Sequence, residues 1–292
     1  MRIIAAHRKD VHGLAFAPDG RTLASVGGQS AAVWVWDART GELIRKLPGH
    51  RDRGRAVALS PDGKLVAAAD DCNLVRVWRL PDGMPVAEIA VTRYRPYKPA
   101  YDLAFLPDSR YLVTASQQVR IWALDGFEPS FREAPARDRL FHALCPSPDA
   151  AVITYGSQSA IALWWPARGV TRILTEVRRW PHSLAIAPDG STLAAAFGHS
   201  VRVFDAQTGL AGLLLSGHQG KVWKVAYTPD GSRLVTASSD GSVRFWDAVT
   251  GALRASFDWM CGQVRCLAIS PDGLTVASGG QDGRIVIADV ES

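Results

Sequence analysis

Sulfur-containing residues and long apolar runs are scarce in this 292-residue chain. Its 4 cysteines lack the paired spacing of a disulfide framework or a zinc finger, so we expect a reducing compartment. No apolar run reaches the length of a membrane span, and residues 1–6 are too few for the apolar core of a signal peptide. These absences predict a cytoplasmic protein that does not associate with membranes.

Patterns that carry catalysis or hold a cofactor are missing too. The chain has no phosphate-cradling glycine loop, no zinc-protease motif and no paired carboxylates. We therefore predict a protein that is not an enzyme and that needs no cofactor and no metal. With 47% hydrophobic and 21% charged residues, the chain can bury a sizeable core, which argues against disorder.

What the chain has in abundance is one repeated unit, which is clearest in residues 217–251. Three short runs rich in β-forming residues, 222–228, 233–238 and 242–247, are separated by turns that contain Asp-Gly. A fourth run, 252–257, completes a predicted four-stranded antiparallel meander. Apolar residues occupy both alternation phases of these strands, so each face needs a neighbouring sheet and the units should stack side by side.

Seven copies of the unit are marked by the proline of the first turn. These prolines recur at intervals of 40 to 46 residues, the period expected for propeller blades. They are Pro18, Pro61, Pro107, Pro148, Pro188, Pro229 and Pro271. Residues 2–6 resemble the fourth strands of other units, so we expect them to complete the last blade with residues 264–290. Residues 1–292 would then form a single seven-bladed domain.

The repeated motifs resemble those of the WD-repeat (tryptophan-aspartate repeat) β-propeller family. The sixth unit shows all of them: Gly217-His218 at its start, Pro-Asp-Gly and Asp-Gly turns, and Trp246-Asp247 at the end of its third strand. The resemblance covers the whole chain and implies an all-β, seven-bladed propeller of four-stranded antiparallel blades. It also implies a rigid, non-enzymatic scaffold that docks peptides or assembles complexes. The alanine-rich style with repeated Pro-Asp-Gly turns leads us to expect a bacterial source.

The resemblance further implies a buried, hydrogen-bonded tetrad in the sixth unit, made of a histidine, a hydroxyl, an aspartate and a tryptophan. The matching residues are His218, Ser238, Asp240 and Trp246, with Thr236 as the second candidate for the hydroxyl. The second unit retains His50, Asp71 and Trp78. A Ser-His-Asp hydrolase is the alternative, which we disfavour because these residues serve packing and no oxyanion donors accompany them.

Six positions before each turn proline stands a residue that is neither small nor aliphatic. These residues are His12, Arg55, Tyr101, His142, His182, Trp223 and Arg265. Because strand one lines the central channel in the family, we expect them to form a ring at the channel mouth that either binds a ligand or plugs the channel. A zinc site on the three histidines is the weaker hypothesis, since only two of them lie in adjacent units and no carboxylate accompanies them.

The loops that lead into the first strands are basic and aromatic. Together with the second-turn loops on the same face, they account for the whole net charge of +5. Beyond the ring, the candidate partner-binding residues are Arg53, Arg93, Tyr94, Arg95, Tyr97, Lys98, Arg179 and Trp180. Arginine beside tyrosine and tryptophan is typical of interaction hot spots, and clustered arginine suits carboxylates and phosphates. We therefore predict that this face binds a peptide or protein segment of acidic character.

Other functions are open at this point. Basic loops with interleaved aromatics also bind nucleic acid or other phosphate-bearing ligands, although a charge of +5 gives only a modest electrostatic attraction. A propeller enzyme is less favoured, because a ring without carboxylates offers neither calcium ligands nor acid catalysts. We expect the chain to be monomeric.

Overall fold

The strands follow one another in chain order as seven antiparallel sheets of four strands. The computed structural model describes residues 1–28, 31–91, 98–124, 131–135, 138, 140–259 and 262–290. Blades one to four consist of β2 (Val11–Phe16), β3 (Thr22–Gly27), β4 (Ala32–Asp37) and β5 (Leu43–Pro48); β6 (Gly54–Leu59), β7 (Leu65–Asp70), β8 (Leu74–Arg79) and β9 (Pro85–Ala90); β10 (Asp102–Phe105), β11 (Tyr111–Ala115), β12 (Val119–Ala123) and β13 (Phe131–Glu133); and β14 (Phe141–Pro146), β15 (Ile153–Ser157), β16 (Ala160–Trp165) and β17 (Val170–Glu176). Blades five to seven consist of β18 (Ser183–Ile186), β19 (Thr192–Phe197), β20 (Ser200–Asp205) and β21 (Ala211–Leu215); β22 (Val222–Tyr227), β23 (Arg233–Ser238), β24 (Ser242–Asp247) and β25 (Leu253–Asp258); and β26 (Val264–Ile269), β27 (Thr275–Gly280) and β28 (Arg284–Asp289) with β1 (Arg2–Ala5).

Strand β1 closes the ring because it pairs with β28 from the other end of the chain. The antiparallel register runs from Arg2 opposite Ile287 to Ala5 opposite Arg284. The first strands of the blades contact one another in the cyclic order β2, β6, β10, β14, β18, β22, β26 and back to β2. The predicted seven-bladed propeller, with an N-terminal strand in the last blade, is confirmed. That residues 1–292 are a single domain stays a prediction.

In blades one to six, an aromatic residue near the end of the third strand fills the space toward the preceding blade. Trp36 of blade one lies in one buried cluster with Cys266 and Ile285 of blade seven, and the other tryptophans repeat this arrangement. Small residues let the blades approach: a Cβ at Gly54 would lie 2.6 Å from the Cβ of Val26 on the neighbouring blade. Both faces of each blade are therefore buried, as the apolar residues on both strand phases predicted.

The chain forms no helix in the described ranges with the length and apolarity that a membrane crossing requires.

The buried polar network of blade six contains three of the four expected residues. His218 Nδ1 lies 2.8 Å from Asp240 Oδ2, and His218 Nε2 lies 2.7 Å from Thr236 Oγ1. Trp246 Nε1 donates to the same Thr236 Oγ1 at 2.9 Å. The preference for Ser238 as the hydroxyl was wrong, because the Ser238 Oγ instead accepts a hydrogen bond from the Asp240 amide at 3.2 Å. Ser238 is the last residue of β23 and caps the turn that follows, whereas Thr236 lies further inside the strand.

Blade two contains a buried charge cluster in place of this network, and its acid is Asp70 rather than the expected Asp71. The Asp70 Oδ2 atom lies 3.4 Å from His50 Nδ1 and accepts a hydrogen bond from Arg76 Nη1 at 3.1 Å. Successive side chains of a strand point to opposite faces. Asp70, the last residue of β7, therefore faces the blade interior, while Asp71 begins the turn and pairs with Arg55 at the channel mouth.

Candidate functional site at the channel mouth

The structure brings all seven residues of the predicted ring together around one cavity of about 240 Å³. In five blades, the ladder between strands one and two skips the ring residue, for example His12 between Val11 and Gly13, and Arg55 between Gly54 and Ala56. Such a β-bulge re-aims one side chain of a strand. The bulges therefore turn these side chains out of the ladder and toward the channel.

Blades three and five achieve the same placement without a bulge, because their ring residues precede the first strand. The amides of Tyr101 and His182 donate to the carbonyls of Ala115 and Ala196 at 2.8 and 2.9 Å, which anchors each ring residue to its own blade. All seven ring side chains are half-buried.

One side of the ring is an aromatic arc, formed by Tyr101, His142, Trp180, His182 and Trp223. The ring centroids of Tyr101 and His142 lie 4.5 Å apart, and His142 stacks on Trp180 at 4.7 Å. His182 and Trp223 lie 5.0 Å apart. Trp180 is not among the residues that line the cavity, and its side chain is 37% exposed, so it extends the arc toward solvent.

The opposite side is a cationic arc, formed by the guanidinium groups of Arg265 and Arg55, of blades seven and two, on either side of His12 in blade one. An acid holds each guanidinium group: Arg265 Nη1 lies 3.2 Å from Asp10 Oδ2, and Arg55 donates to both carboxylate oxygens of Asp71, in one case at 3.3 Å. Two hydrogen bonds between one guanidinium and one carboxylate set the orientation of the guanidinium in addition to the attraction between the opposite charges. The cationic arc is therefore held in place before any ligand binds.

Lys224 and Asp102 also line the cavity, although neither was among the residues predicted to lie at the channel mouth. Each directly follows a ring residue, at a position where the other five blades have a small side chain. That contrast is a signal that an alignment of the first strands could have revealed. The two come from blades six and three, and the Lys224 Nζ to Asp102 Oδ1 distance of 4.0 Å places an ion pair across the channel.

The three histidines of the ring are neutral at pH 7. Burial, and after it the charge of Arg55, lowers the pKa of His12 to about 4 despite the opposing charge of Asp10. Burial and then His182 lower the pKa of His142 to about 4, and burial lowers the pKa of His182 as well. Neutral imidazole carries one donor and one acceptor. The positive charge of the cavity lining therefore comes from its arginine and lysine side chains.

Three polar atoms of ring residues are buried without a hydrogen-bond partner in the described part of the chain. They are His142 Nε2, Trp223 Nε1 and Arg265 Nε. Leaving such a group unsatisfied costs about 1–3 kcal/mol. Their concentration at one cavity marks it as a place where a polar ligand group would be stabilised.

The remaining predicted contact residues lie outside the cavity lining. The Arg53 side chain is 58% exposed and lies 4.0 Å from Asp71, Arg179 is exposed, and Lys98 is half-buried. Arg93, Tyr94, Arg95 and Tyr97 lie outside the described residues. Across the described ranges, no group of three or more histidine, cysteine, aspartate or glutamate side chains is placed to hold a metal ion, and His12, His142 and His182 do not form one.

The fold and the site define a closed β-propeller with a side-chain-sized cavity at its channel mouth. A family model described as "WD domain, G-beta repeat" matches residues 1–37, 41–79, 212–247 and 253–289, which is more than half of the chain. The chain therefore belongs to the WD-repeat family. Propellers of this family serve as protein-interaction scaffolds.

Similar proteins come from several eukaryotes. The chain is 27% identical to "Periodic tryptophan protein 2" of Arabidopsis thaliana over 82% of its own length and 27% of the plant protein. It is 26% identical to "Protein LST8 homolog" of Drosophila melanogaster over 74% of its length and 72% of the fly protein. It is 22% identical to "Angio-associated migratory cell protein" of Homo sapiens over 81% of its length and 45% of the human protein. The chain thus spans only part of the plant and human proteins, and these relatives do not support the expected bacterial source.

Proposed function

We propose that this propeller is a non-enzymatic, cytoplasmic interaction scaffold that binds a peptide or protein segment of acidic character at the channel mouth. The observation that carries the proposal is the gathering of seven large side chains around one cavity, with an aromatic arc facing a cationic arc. The propeller acts as a monomer in this proposal, and its partner supplies the anionic group.

The chemistry of the two arcs supports a protein partner. Hot spots of protein interfaces are enriched in tryptophan, tyrosine and arginine, and the two aromatic residues bury much area at a low entropic cost. A nucleic acid is the alternative ligand. The guanidinium groups of Arg55 and Arg265 already contact carboxylates, which weakens their attraction for a string of phosphates.

The test is selection of short random peptides on the immobilised propeller, followed by affinity measurement on the Trp180→Ala variant. Trp180 stacks on His142 at 4.7 Å and is exposed, so its removal should weaken the selected peptides roughly tenfold or more without unfolding the protein. The matched control is Phe131→Ala, which removes another exposed aromatic side chain from the outer strand of blade three. Peptides that bind Trp180→Ala as tightly as the unaltered protein would move the partner surface away from the mouth.

A further inference from the structure

One ion pair of the cavity lining is only half satisfied. Asp102 accepts hydrogen bonds from the amides of Leu103 and Leu144, both at 3.1 Å. Lys224 Nζ lies 4.0 Å from Asp102, which is too long for a hydrogen bond, and the ammonium makes none within the described residues. The carboxylate is thus held by backbone donors, while a half-buried ammonium retains three unused donors.

The cationic arc also keeps an unused donor. Arg55 directs Nε and Nη2 at Asp71, and Arg265 directs Nη1 at Asp10, which leaves the Nε of Arg265 without a partner in the described part of the chain. Asp71 and Asp10 themselves are not part of the cavity lining. The lining itself therefore contains three cationic side chains and a single carboxylate, and the unused hydrogen-bond donors of these cations suit an anionic acceptor.

The charge and the size of the cavity restrict what that anion can be. The acids behind both arginines partly neutralise the site, which suits a monoanionic carboxylate better than a dianionic phosphate. The volume of about 240 Å³ is below the roughly 300–1,000 Å³ of pockets that hold drug-sized ligands. It has room for one side chain rather than for a backbone segment. The aromatic arc would contact the methylene groups of that side chain while its carboxylate reaches Lys224.

We infer that the cavity is a cup for one acidic side chain, glutamate or aspartate, of the bound segment, whose carboxylate contacts the Lys224 ammonium and the arginines of the cationic arc. This inference rests on the proposed function and names the group that the channel mouth selects. It makes Lys224 the residue that determines specificity.

The experiment uses peptides selected on the unaltered propeller whose binding depends on Trp180. Each glutamate or aspartate of such a peptide is replaced in turn by glutamine or asparagine, and the peptide is also prepared with an amidated C-terminus. We expect one position at which the amide weakens binding roughly tenfold to hundredfold, the value of a hydrogen bond to a charged group. Amidation of the C-terminus should leave the affinity unchanged.

Lys224→Met should remove the preference of the propeller for acid over amide at that position, while Lys224→Arg should retain it. Lys64→Met is the matched control, since the Lys64 side chain is 74% exposed at a turn outside the cavity, and it should leave the preference unchanged. Thermal unfolding of each variant shows whether the fold is intact. Because Lys224→Arg keeps the charge, it distinguishes loss of the carboxylate contact from general disturbance of the channel.

The two proposals fail in different ways. If no peptide is selected, or none depends on Trp180, the proposed function fails and the inference fails with it. If Trp180-dependent peptides tolerate every acid-to-amide change, or if Lys224→Met keeps the preference for acid, only the inference is overturned. Dependence on the C-terminal carboxylate alone would also overturn it, since the occupant would then be a chain terminus.

Discussion

Thr236 organises the interior of blade six because one hydroxyl serves two buried ring nitrogens. Trp246 Nε1 can only donate, so Thr236 Oγ1 accepts that hydrogen bond. His218 Nδ1–H donates to the carboxylate of Asp240, which leaves Nε2 to accept a hydrogen bond from the threonine hydroxyl. Burial by itself raises the pKa of Asp240, but hydrogen bonds from Ser242 and His218 outweigh it and hold the pKa well below its usual range.

Replacing this hydroxyl should therefore destabilise the protein more than replacing the neighbouring serine. We expect Thr236→Val to lower the free energy of unfolding by about 2 kcal/mol, because both ring nitrogens lose their partner. Ser238→Ala should cost less than about 1 kcal/mol, since it removes only the cap on a turn. Urea denaturation measures both, and an equal or larger loss for Ser238→Ala would contradict the assignment of Thr236.

Asp70 and Asp71 offer a similar test, because adjacent carboxylates have opposite roles. The Asp70 side chain is fully buried between His50 and Arg76, whereas Asp71 pairs with Arg55 at the cavity. Asp70→Asn should destabilise the fold by about 2 kcal/mol, since the buried Arg76 guanidinium loses one of its two carboxylate partners and keeps only the half-exposed Glu88. Asp71→Asn should change the free energy of unfolding by less than about 1 kcal/mol and act mainly on peptide binding.

At the level of the strands, a repeated interruption of the ladder explains how the ring residues gather at the channel mouth. Val222 and Lys224 of β22 pair with Ser238 and Ala237, so Trp223 between them has no partner in the ladder. A strand without the bulge would place the same side chain against the neighbouring blade, by the alternation of strand faces. Because the bulge recurs at the same position in five blades, the side chains converge on the channel axis.

The two central residues of strand β1 face opposite sides, so only one of them packs between blades seven and one. Ile4 is 7% exposed and lies in the cluster between blades seven and one, whereas Ile3 is 48% exposed. We expect Ile4→Ala to lower the free energy of unfolding by about 2–4 kcal/mol through the cavity that it leaves. Ile3→Ala, the control on the same strand, should stay within about 0.5 kcal/mol. Equal effects in thermal or urea unfolding would show that β1 does not hold the ring closed.

At the scale of the whole molecule, burial of neutral histidines links stability to pH. Burial, the main cause in each case, lowers the pKa of His7, His12 and His142 from 6.5 to about 4. The unfolded chain therefore binds protons between these values that the folded chain excludes. The stabilisation is fully present above about pH 6.5 and is lost as the pH falls toward about 4.

We accordingly expect the midpoint temperature of unfolding to fall steadily between about pH 6.5 and 4.5. Carboxylates such as Asp240, whose pKa is lowered in the fold, contribute losses only nearer their ordinary pKa of 3.8 and below. A His12→Gln and His142→Gln double variant should show a shallower decline over the same range. A midpoint that does not change with pH in the unaltered protein would contradict the burial of these histidines as neutral groups.

Local sequence patterns were enough to predict the architecture, because the same strand and turn signals recur in every blade. Turn prolines at intervals of 40 to 46 residues, β-forming runs and apolar residues on both strand phases are local signals, and they predicted seven blades and the closing strand β1. The seven ring residues could also be found, since their distance from Pro18 and its counterparts is constant. For the same reason, comparing Ser25 and Thr114, which receive the Trp36 and Trp122 hydrogen bonds, with Thr236 would have identified the tetrad hydroxyl.

What the ring residues contact depends on how the folded blades pack against one another. Closure of seven blades brings Lys224 and Asp102, which are far apart in the chain, across one channel, and no periodic signal encodes a distance between blades six and three. The pairing of Arg55 with Asp71 and of Arg265 with Asp10 likewise depends on how neighbouring loops pack. Because the repeats share the same local patterns, the fold can be predicted from the sequence. The cup depends on side chains that differ between repeats, and these come together only when the ring closes.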